Sequence, residues 1–130
     1  MDHLGIAVRD LEEAIRAYRT LGFEVESVHE VSTEKVRAAF LPVGESRLEL
    51  LEPTEDGSTI ARFLEKRSGL HHVCLLVEDI EATVAELKAA GVALIDERPR
   101  PGAGGSRVAF VHPRSAAGVL VELKEAAPSR

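Results

Sequence analysis

The chain has 130 residues, 45% of them apolar, and a formal net charge of -6. This length suits one compact domain, or two half-size modules that share a core. The acidic balance argues against nucleic acid as a partner, because proteins that bind polyanions carry a basic surface. The single cysteine, Cys74, rules out an intramolecular disulfide and fits a reducing compartment. No apolar run approaches the ~18 residues of a membrane span, and no signal-peptide pattern follows Met1, so we expect a soluble cytoplasmic protein without a membrane partner.

The first half of the sequence predicts a strand, a helix and three further strands. A short apolar strand begins at His3. Asp10 follows it as a helix cap, because its carboxylate can accept hydrogen bonds from the unpaired first N–H groups, and Glu13 completes a capping box. Gly22 is placed where the helix would end in a left-handed residue. Strand-like runs follow at residues 23–31, 36–43 and 47–51.

The second half repeats this order. Between the halves, Ser58 or Thr59 could begin a short linker helix. His72, Asp79 and Gly91 then follow one another at the spacing of His3, Asp10 and Gly22 in the first half. Strand-like runs are expected at residues 92–95, 107–112 and 118–123. We therefore predict an α+β fold of two β-α-β-β-β modules within one compact domain, divided into residues 1–52, a linker at 53–69, and residues 70–130.

Strand alternation selects which histidines are equivalent. Side chains along a strand point to opposite faces in turn, so His3 lies opposite the apolar face that should meet the helix. In the second half, the same parity selects His72 and places His71 on the helix side or at the strand mouth. His3 and His72 therefore occupy matching positions of the two modules.

Two glutamates interrupt otherwise apolar strands at the end of each module. They are Glu49 in "RLELLEP" and Glu122 in "GVLVELKE". A carboxylate buried among apolar residues is costly unless it is paired or binds a metal, although either glutamate could instead face water. Two histidines and two glutamates at equivalent positions would converge under a pseudo-twofold axis. Such a donor set suits a divalent ion such as Co, Ni, Mn, Fe or Zn, cupped by a curved mixed sheet with the helices outside.

The doubled unit with its His, Glu, His and Glu resembles the vicinal oxygen chelate superfamily and, within it, the methylmalonyl-CoA epimerases. The likeness covers most of residues 2–124, and its most specific parts are "STIARFLEKR" and "VAFVHP" followed by "GVLVEL". The turn "HPRSAAG" also favours the epimerases over lactoylglutathione lyases, which usually carry a "DPDG"-like turn there.

The resemblance implies interconversion of (R)- and (S)-methylmalonyl-CoA by α-proton removal and return through a metal-stabilised enolate. It assigns the metal to His3, Glu49, His72 and Glu122, with cobalt preferred and Ni, Mn, Zn, Fe or Mg as alternatives. It also implies an acyl-CoA substrate and a homodimer. The alternatives are a lactoylglutathione lyase or another glyoxalase-like isomerase, and a non-enzymatic ligand-sequestering protein of the same fold.

The resemblance also implies two proton carriers. One is Glu122. The other is expected in the turn after the second strand, where relatives have a stretch like "EEQGV" and this chain has "STEKV". Thr33 stands at the matching position, and we assign the role to its neighbour Glu34.

Substrate contacts are expected in the second module. Arg107 and Arg114 belong to an arginine-rich region that could meet CoA phosphates, since guanidinium binds phosphate as a planar fork; a solvated loop is the alternative. Relatives often have asparagine where this chain has Ala117, and Ser115 or a water molecule could supply the missing contact; an ordinary role of Ser115 in the turn is the alternative. The glycine-rich stretch 102–105 is expected to be a flexible connection or lid.

Overall fold

The computed structural model describes residues 1–102 and 105–127, which form two compact units. The first unit comprises residues 2–71. The second comprises Met1 and the described residues from His72 onward. Residues 103–104 of the predicted glycine-rich connection and residues 128–130 of the predicted second module lie outside the described residues.

The first unit has the predicted strand, helix and three strands, followed by the linker helix. Its elements are β1 (His3–Ala7), α1 (Leu11–Thr20), β2 (Ser27–Val31), β3 (Val36–Val43), β4 (Ser46–Pro53) and α2 (Thr59–Leu64). Helix α1 begins where predicted, because the Asp10 carboxylate accepts a hydrogen bond from the Glu13 N–H at 3.1 Å. Ser58 caps α2 in the same way.

The four strands of the first unit are ordered β2-β3-β4-β1, with β1 parallel to β4 and the other pairs antiparallel. This order brings the first and last strands of the module side by side. Ile6 packs with Leu11 of α1 on one face, as the alternation predicts. Ala7 packs with Ile60 of α2 on the other face, so the predicted linker contributes to the core of this unit.

The second unit repeats the arrangement. Its elements are β5 (Gly69–Val77), α3 (Ile80–Ala89), β6 (Arg100–Pro101), β7 (Arg107–Val111), a 3₁₀ turn (Pro113–Ser115) and β8 (Val121–Glu125). The order is β5-β8-β7-β6, again with the first and last strands parallel. Asp79 caps α3 by accepting from the Ala82 N–H at 3.1 Å. Ile80 and Val84 of α3 pack against the sheet in a buried apolar cluster.

Two strands of the second unit depart clearly from the prediction. In the predicted strand 92–95, Leu94 forms an isolated bridge to Val111, and the edge strand β6 follows later in the chain. The last strand begins at Val121 instead of residue 118, because Ala117 and Gly118 have positive φ angles of 54° and 89°. That left-handed pair makes a turn and delays entry into the sheet.

The predicted fold class is confirmed: the chain has an α+β fold built from two β-α-β-β-β modules. Within the described residues, no helix combines the length and apolar character that a membrane crossing would need.

Candidate active site

A buried histidine and a glutamate lie together in the first unit. The parallel pairing of β1 with β4 places Gly5 opposite Glu49. His3 lies two residues before Gly5 on β1 and therefore on the same face of the sheet. The His3 Nδ1 lies 3.2 Å from Glu49 Oε2, and the two side chains are only 6% and 12% exposed. The sequence-predicted pair is therefore brought together by the first and last strands of the module.

Further charged groups hold this pair in place. Asp2 Oδ2 lies 2.7 Å from His3 Nδ1, and a carboxylate on one ring nitrogen fixes the orientation in which the other nitrogen can bind a metal. Arg47 Nε donates to Glu49 Oε2 at 2.8 Å, and its Nη2 lies 3.5 Å from Asp2. Sequence reasoning missed these contacts of Asp2 and Arg47, although strand parity places Arg47 on the face of Glu49.

The second unit contains an equivalent pair. The parallel pairing of β5 with β8 places Cys74 opposite Glu122, with His72 two residues earlier on the same face. His72 Nε2 lies 3.2 Å from Glu122 Oε1, and these side chains are 8% and 14% exposed. The His72 ring also meets the Phe110 ring edge-on, at a centroid distance of 6.1 Å.

The surroundings of the two glutamates are also alike. Each stands opposite a phenylalanine of the neighbouring antiparallel strand, Phe40 in the first unit and Phe110 in the second. An arginine guanidinium lies over each phenylalanine ring. Its carbon is 5.2 Å from the ring centroid for Arg47 and 5.3 Å for Arg100. Each unit thus offers one imidazole and one carboxylate in a largely buried setting, which is the donor chemistry of a borderline divalent ion.

Glu34 lies away from the first of these pairs. It belongs to the turn between β2 and β3, and β3 begins at Val36. The strand reaches the position opposite Glu49 only at Phe40, which is about 13 Å further along the sheet. The structure does not bring Glu34 to the His3–Glu49 pair, and its role as a base stays a prediction.

Arg107 lies on the helix side of the second unit. It shares that face of β7 with Ala109, which is buried beneath α3, whereas Phe110 and Glu122 share the other face. Its Nη2 lies 3.0 and 3.1 Å from the two oxygens of Glu125. These contacts explain Arg107 as a structural residue, and they do not support the prediction that it binds substrate.

Arg114 and Ser115 belong to the 3₁₀ turn before the last strand. Both are exposed, and the Ser115 hydroxyl accepts a hydrogen bond from the Ala93 N–H at 2.9 Å. The His112 ring accepts from the Arg114 N–H at 3.1 Å and caps the turn. Ser115 therefore ties the turn to the segment after α3, and a substrate contact for either residue remains a prediction.

The comparison with known proteins agrees with this architecture. A family profile described as Glyoxalase/Bleomycin resistance protein/Dioxygenase superfamily matches residues 2–110. An ethylmalonyl-CoA/methylmalonyl-CoA epimerase from Cereibacter sphaeroides is 43% identical, and the match covers 96% of each chain. A protein of Vibrio cholerae named as a probable lactoylglutathione lyase is less similar, with 32% identity over 93% of this chain and 86% of its own.

Solved structures give the same result. A hypothetical protein from Bacillus halodurans superposes with a TM-score of 0.94 and 42% identity, over 100% of this chain and 96% of its own. A Streptomyces coelicolor methylmalonyl-CoA epimerase variant in complex with 2-nitronate-propionyl-CoA has a TM-score of 0.89 and 38% identity, over 100% and 96%. The chain belongs to the Glyoxalase/Bleomycin resistance protein/Dioxygenase superfamily and, within it, to the family of the methylmalonyl-CoA epimerases.

Proposed function

We propose that this chain is an epimerase that interconverts (R)- and (S)-methylmalonyl-CoA by removing the α-proton from one face and returning a proton to the other. The observation that carries the proposal is the buried His–Glu pair at the same strand positions of both modules. The relatives named as methylmalonyl-CoA epimerases support this substrate, as does the relative in complex with a propionyl-CoA nitronate.

The second part of the proposal is a divalent metal held by His3, Glu49, His72 and Glu122. Two imidazoles and two carboxylates suit cobalt, which we expect first, and also Ni, Mn, Zn, Fe or Mg. When bound, such an ion supplies Lewis acidity toward oxygens of the two groups that flank the α-carbon of the substrate, the thioester and the carboxylate. The Asp2 carboxylate would orient His3 for this role, and Arg47 would hold the Glu49 carboxylate in place.

The third part concerns the proton carriers. Glu122 is our candidate for one of them, since its 14% exposure leaves a carboxylate shielded from bulk water beside His72, and general bases act best in such settings. Glu34 stays our sequence-based prediction for the second carrier. Arg107 and Arg114 stay predictions for contacts with the CoA phosphates, and Ser115 stays a prediction for a further substrate contact. A homodimer and a cytoplasmic location also stay predictions.

Deuterium exchange tests the proposed reaction. We expect the metal-loaded protein to incorporate deuterium at the α-carbon of methylmalonyl-CoA in D₂O and to show no turnover of methylglyoxal with glutathione. Chelation of the metal should stop the exchange, and added Co²⁺ should restore it. Turnover of the hemithioacetal alone would favour the lactoylglutathione lyase alternative. Absence of bound metal together with absence of both reactions would favour a ligand-sequestering protein.

A further inference from the structure

Arg47 binds one of the two carboxylate oxygens of Glu49. Its Nε donates a hydrogen bond to Oε2 at 2.8 Å, and His3 Nδ1 lies 3.2 Å from the same oxygen. Among the residues that the structure describes, both side-chain contacts of Glu49 therefore use Oε2. The other oxygen, Oε1, is the one that a metal ion could bind without displacing either contact.

The guanidinium of Arg47 is itself held in place. Its Nη2 lies 3.5 Å from the Asp2 carboxylate, and its carbon lies 5.2 Å from the centroid of the Phe40 ring, which stands opposite Glu49 in the β3–β4 ladder. A guanidinium is planar and directs its N–H groups in fixed directions. Because a ring covers its face and two carboxylates lie at its edge, it has little freedom to turn away from Oε2.

The number of oxygens that Glu49 offers bears on the chemistry of the first His–Glu pair. A carboxylate can bind a divalent ion through one oxygen or through both. An ion that activates a substrate must keep coordination positions open for it. In the proposed reaction the substrate brings two oxygens, so a Glu49 that bound through both of its own would compete with one of them.

We propose that Arg47 is a positioning residue that restricts Glu49 to one metal-binding oxygen and thereby keeps a coordination position open for the substrate. This inference rests on the proposed function. In this role Arg47 governs the binding of the substrate and not the affinity for the metal. Without the guanidinium, both oxygens of Glu49 can turn to the ion, so the metal is held at least as tightly and the substrate less tightly.

The test is Arg47→Met, which keeps a long side chain beside Phe40 and removes every donor. Calorimetric titration with Co²⁺ should show at least the affinity of the wild type. Deuterium exchange into methylmalonyl-CoA in D₂O should show a KM raised by about tenfold or more, with a much smaller change in kcat. The change that methylmalonyl-CoA causes in the visible absorption of bound Co²⁺ should need correspondingly more substrate. Arg47→Gln serves in its place, with the same expected result, if the methionine variant does not fold.

A second measurement separates this role from a general structural one. Glutamine has a single carboxamide oxygen and cannot bind an ion through two. In the Glu49→Gln background, Arg47→Met should therefore raise KM little further. Arg16→Gln, an exposed change on α1 of the same unit, is the control and should alter neither the Co²⁺ affinity nor KM.

Three results would overturn the role of Arg47. They are a loss of Co²⁺ affinity in Arg47→Met, an unchanged KM in that variant, and an equal rise of KM in the two backgrounds. If the metal-loaded wild type exchanges no deuterium into methylmalonyl-CoA, the proposed function fails instead. The Co²⁺ titration does not depend on turnover, so the two failures are distinguishable.

Discussion

Ala117 occupies a backbone conformation that its side chain disfavours. Its φ angle is 54°, in the left-handed region, and Gly118 follows with a φ of 89°. Left-handed backbone costs an L-residue such as alanine about 1 kcal/mol or more, whereas asparagine and glycine adopt it readily. Asparagine at this position would lower the backbone cost whatever contact its amide made with substrate.

Replacing Ala117 by glycine should therefore stabilise the fold. We expect Ala117→Gly to raise the free energy of unfolding by about 0.5–1 kcal/mol. Glycine relieves the backbone strain of the folded state, and the entropy that it adds to the unfolded chain offsets part of this effect. Urea denaturation measures the change. Ala90→Gly is the control, because Ala90 has an ordinary φ of -84° at the end of α3, and glycine there should lower stability. A loss of stability in both variants would contradict the explanation.

At the residue scale, parity and repetition singled out His3, Glu49, His72 and Glu122, and the structure brings His3 to Glu49 and His72 to Glu122. That the four residues bind one metal stays a prediction. A repeated sequence folds into a repeated ladder, so side chains at equivalent positions meet equivalent neighbours. The same reasoning could not find Arg47 as a partner of Glu49, because contacts between neighbouring long side chains depend on rotamers that the pattern does not determine.

At the scale of elements, the last strand of each module secures the start of its helix. Glu52 Oε2 accepts from the first N–H of α1, at Leu11, at 2.8 Å, and Glu125 Oε2 accepts from the first N–H of α3, at Ile80, at 3.1 Å. A carboxylate at this position satisfies an unpaired amide and meets the positive end of the helix dipole. Each carboxylate also forms an ion pair with an arginine, Glu52 with Arg37 and Glu125 with Arg107.

The contacts of Glu125 should make the stability of the fold depend on pH in the acid range. Hydrogen bonds from Arg107 and from the Ile80 amide lower the pKa of the Glu125 carboxyl below its ordinary value. A carboxyl whose pKa is lower in the folded state stabilises the fold above the pKa of the unfolded chain, and loses that contribution as the pH falls through the folded-state value. We therefore expect Glu125→Gln to destabilise the fold at neutral pH, and we expect this effect to shrink progressively as the pH falls into the acid range where the carboxyl takes up its proton.

Urea unfolding of the variant and wild type across this pH range measures the difference. Glu86→Gln, on the exposed surface of α3, is the control and should track the wild type throughout. A destabilisation by Glu125→Gln that is as large in acid as at neutral pH would show that the contribution of Glu125 is not that of an ionised carboxylate.

The prediction of elements was accurate where the sequence signals are local. It was incomplete where the position of a strand depends on its pairing with a distant strand. Helices α1 and α3 begin at capping aspartates and α2 begins at a capping serine, and these caps act within one turn of chain. The edge strand of the second unit could not be located from sequence, because residues 92–95 are apolar enough for a strand and yet form a single bridge there. Which short segment reaches the sheet edge depends on the path of the loop rather than on its composition.

At the scale of the whole molecule, the duplicated halves should contribute to metal binding in similar ways but to catalysis in different ways. We expect Glu49→Gln and Glu122→Gln each to weaken Co²⁺ binding by about tenfold or more, because each removes an anionic ligand. Excess Co²⁺ should restore deuterium exchange in Glu49→Gln. In Glu122→Gln it should not, since a proton carrier worth about 10²–10⁴ in rate is missing.

Calorimetric titration with Co²⁺ measures the affinities, and exchange at saturating Co²⁺ measures the rates. Glu55→Gln, an exposed change in the turn after β4, should alter neither. Full recovery of exchange in Glu122→Gln at saturating metal would remove Glu122 from proton transfer. A Co²⁺ affinity of wild-type strength in both site variants would remove the glutamates from the metal site.

The parallel pairing of β1 with β4 and of β5 with β8 also bears on the order of folding. Each His–Glu pair joins the two ends of a module, so it forms only after the intervening helix and hairpin have been brought into place. Closing such a long loop is entropically costly, and contacts of this kind tend to form late on the folding pathway. A cation bound by these residues would thus lower the rate of unfolding and would have little effect on the rate of folding.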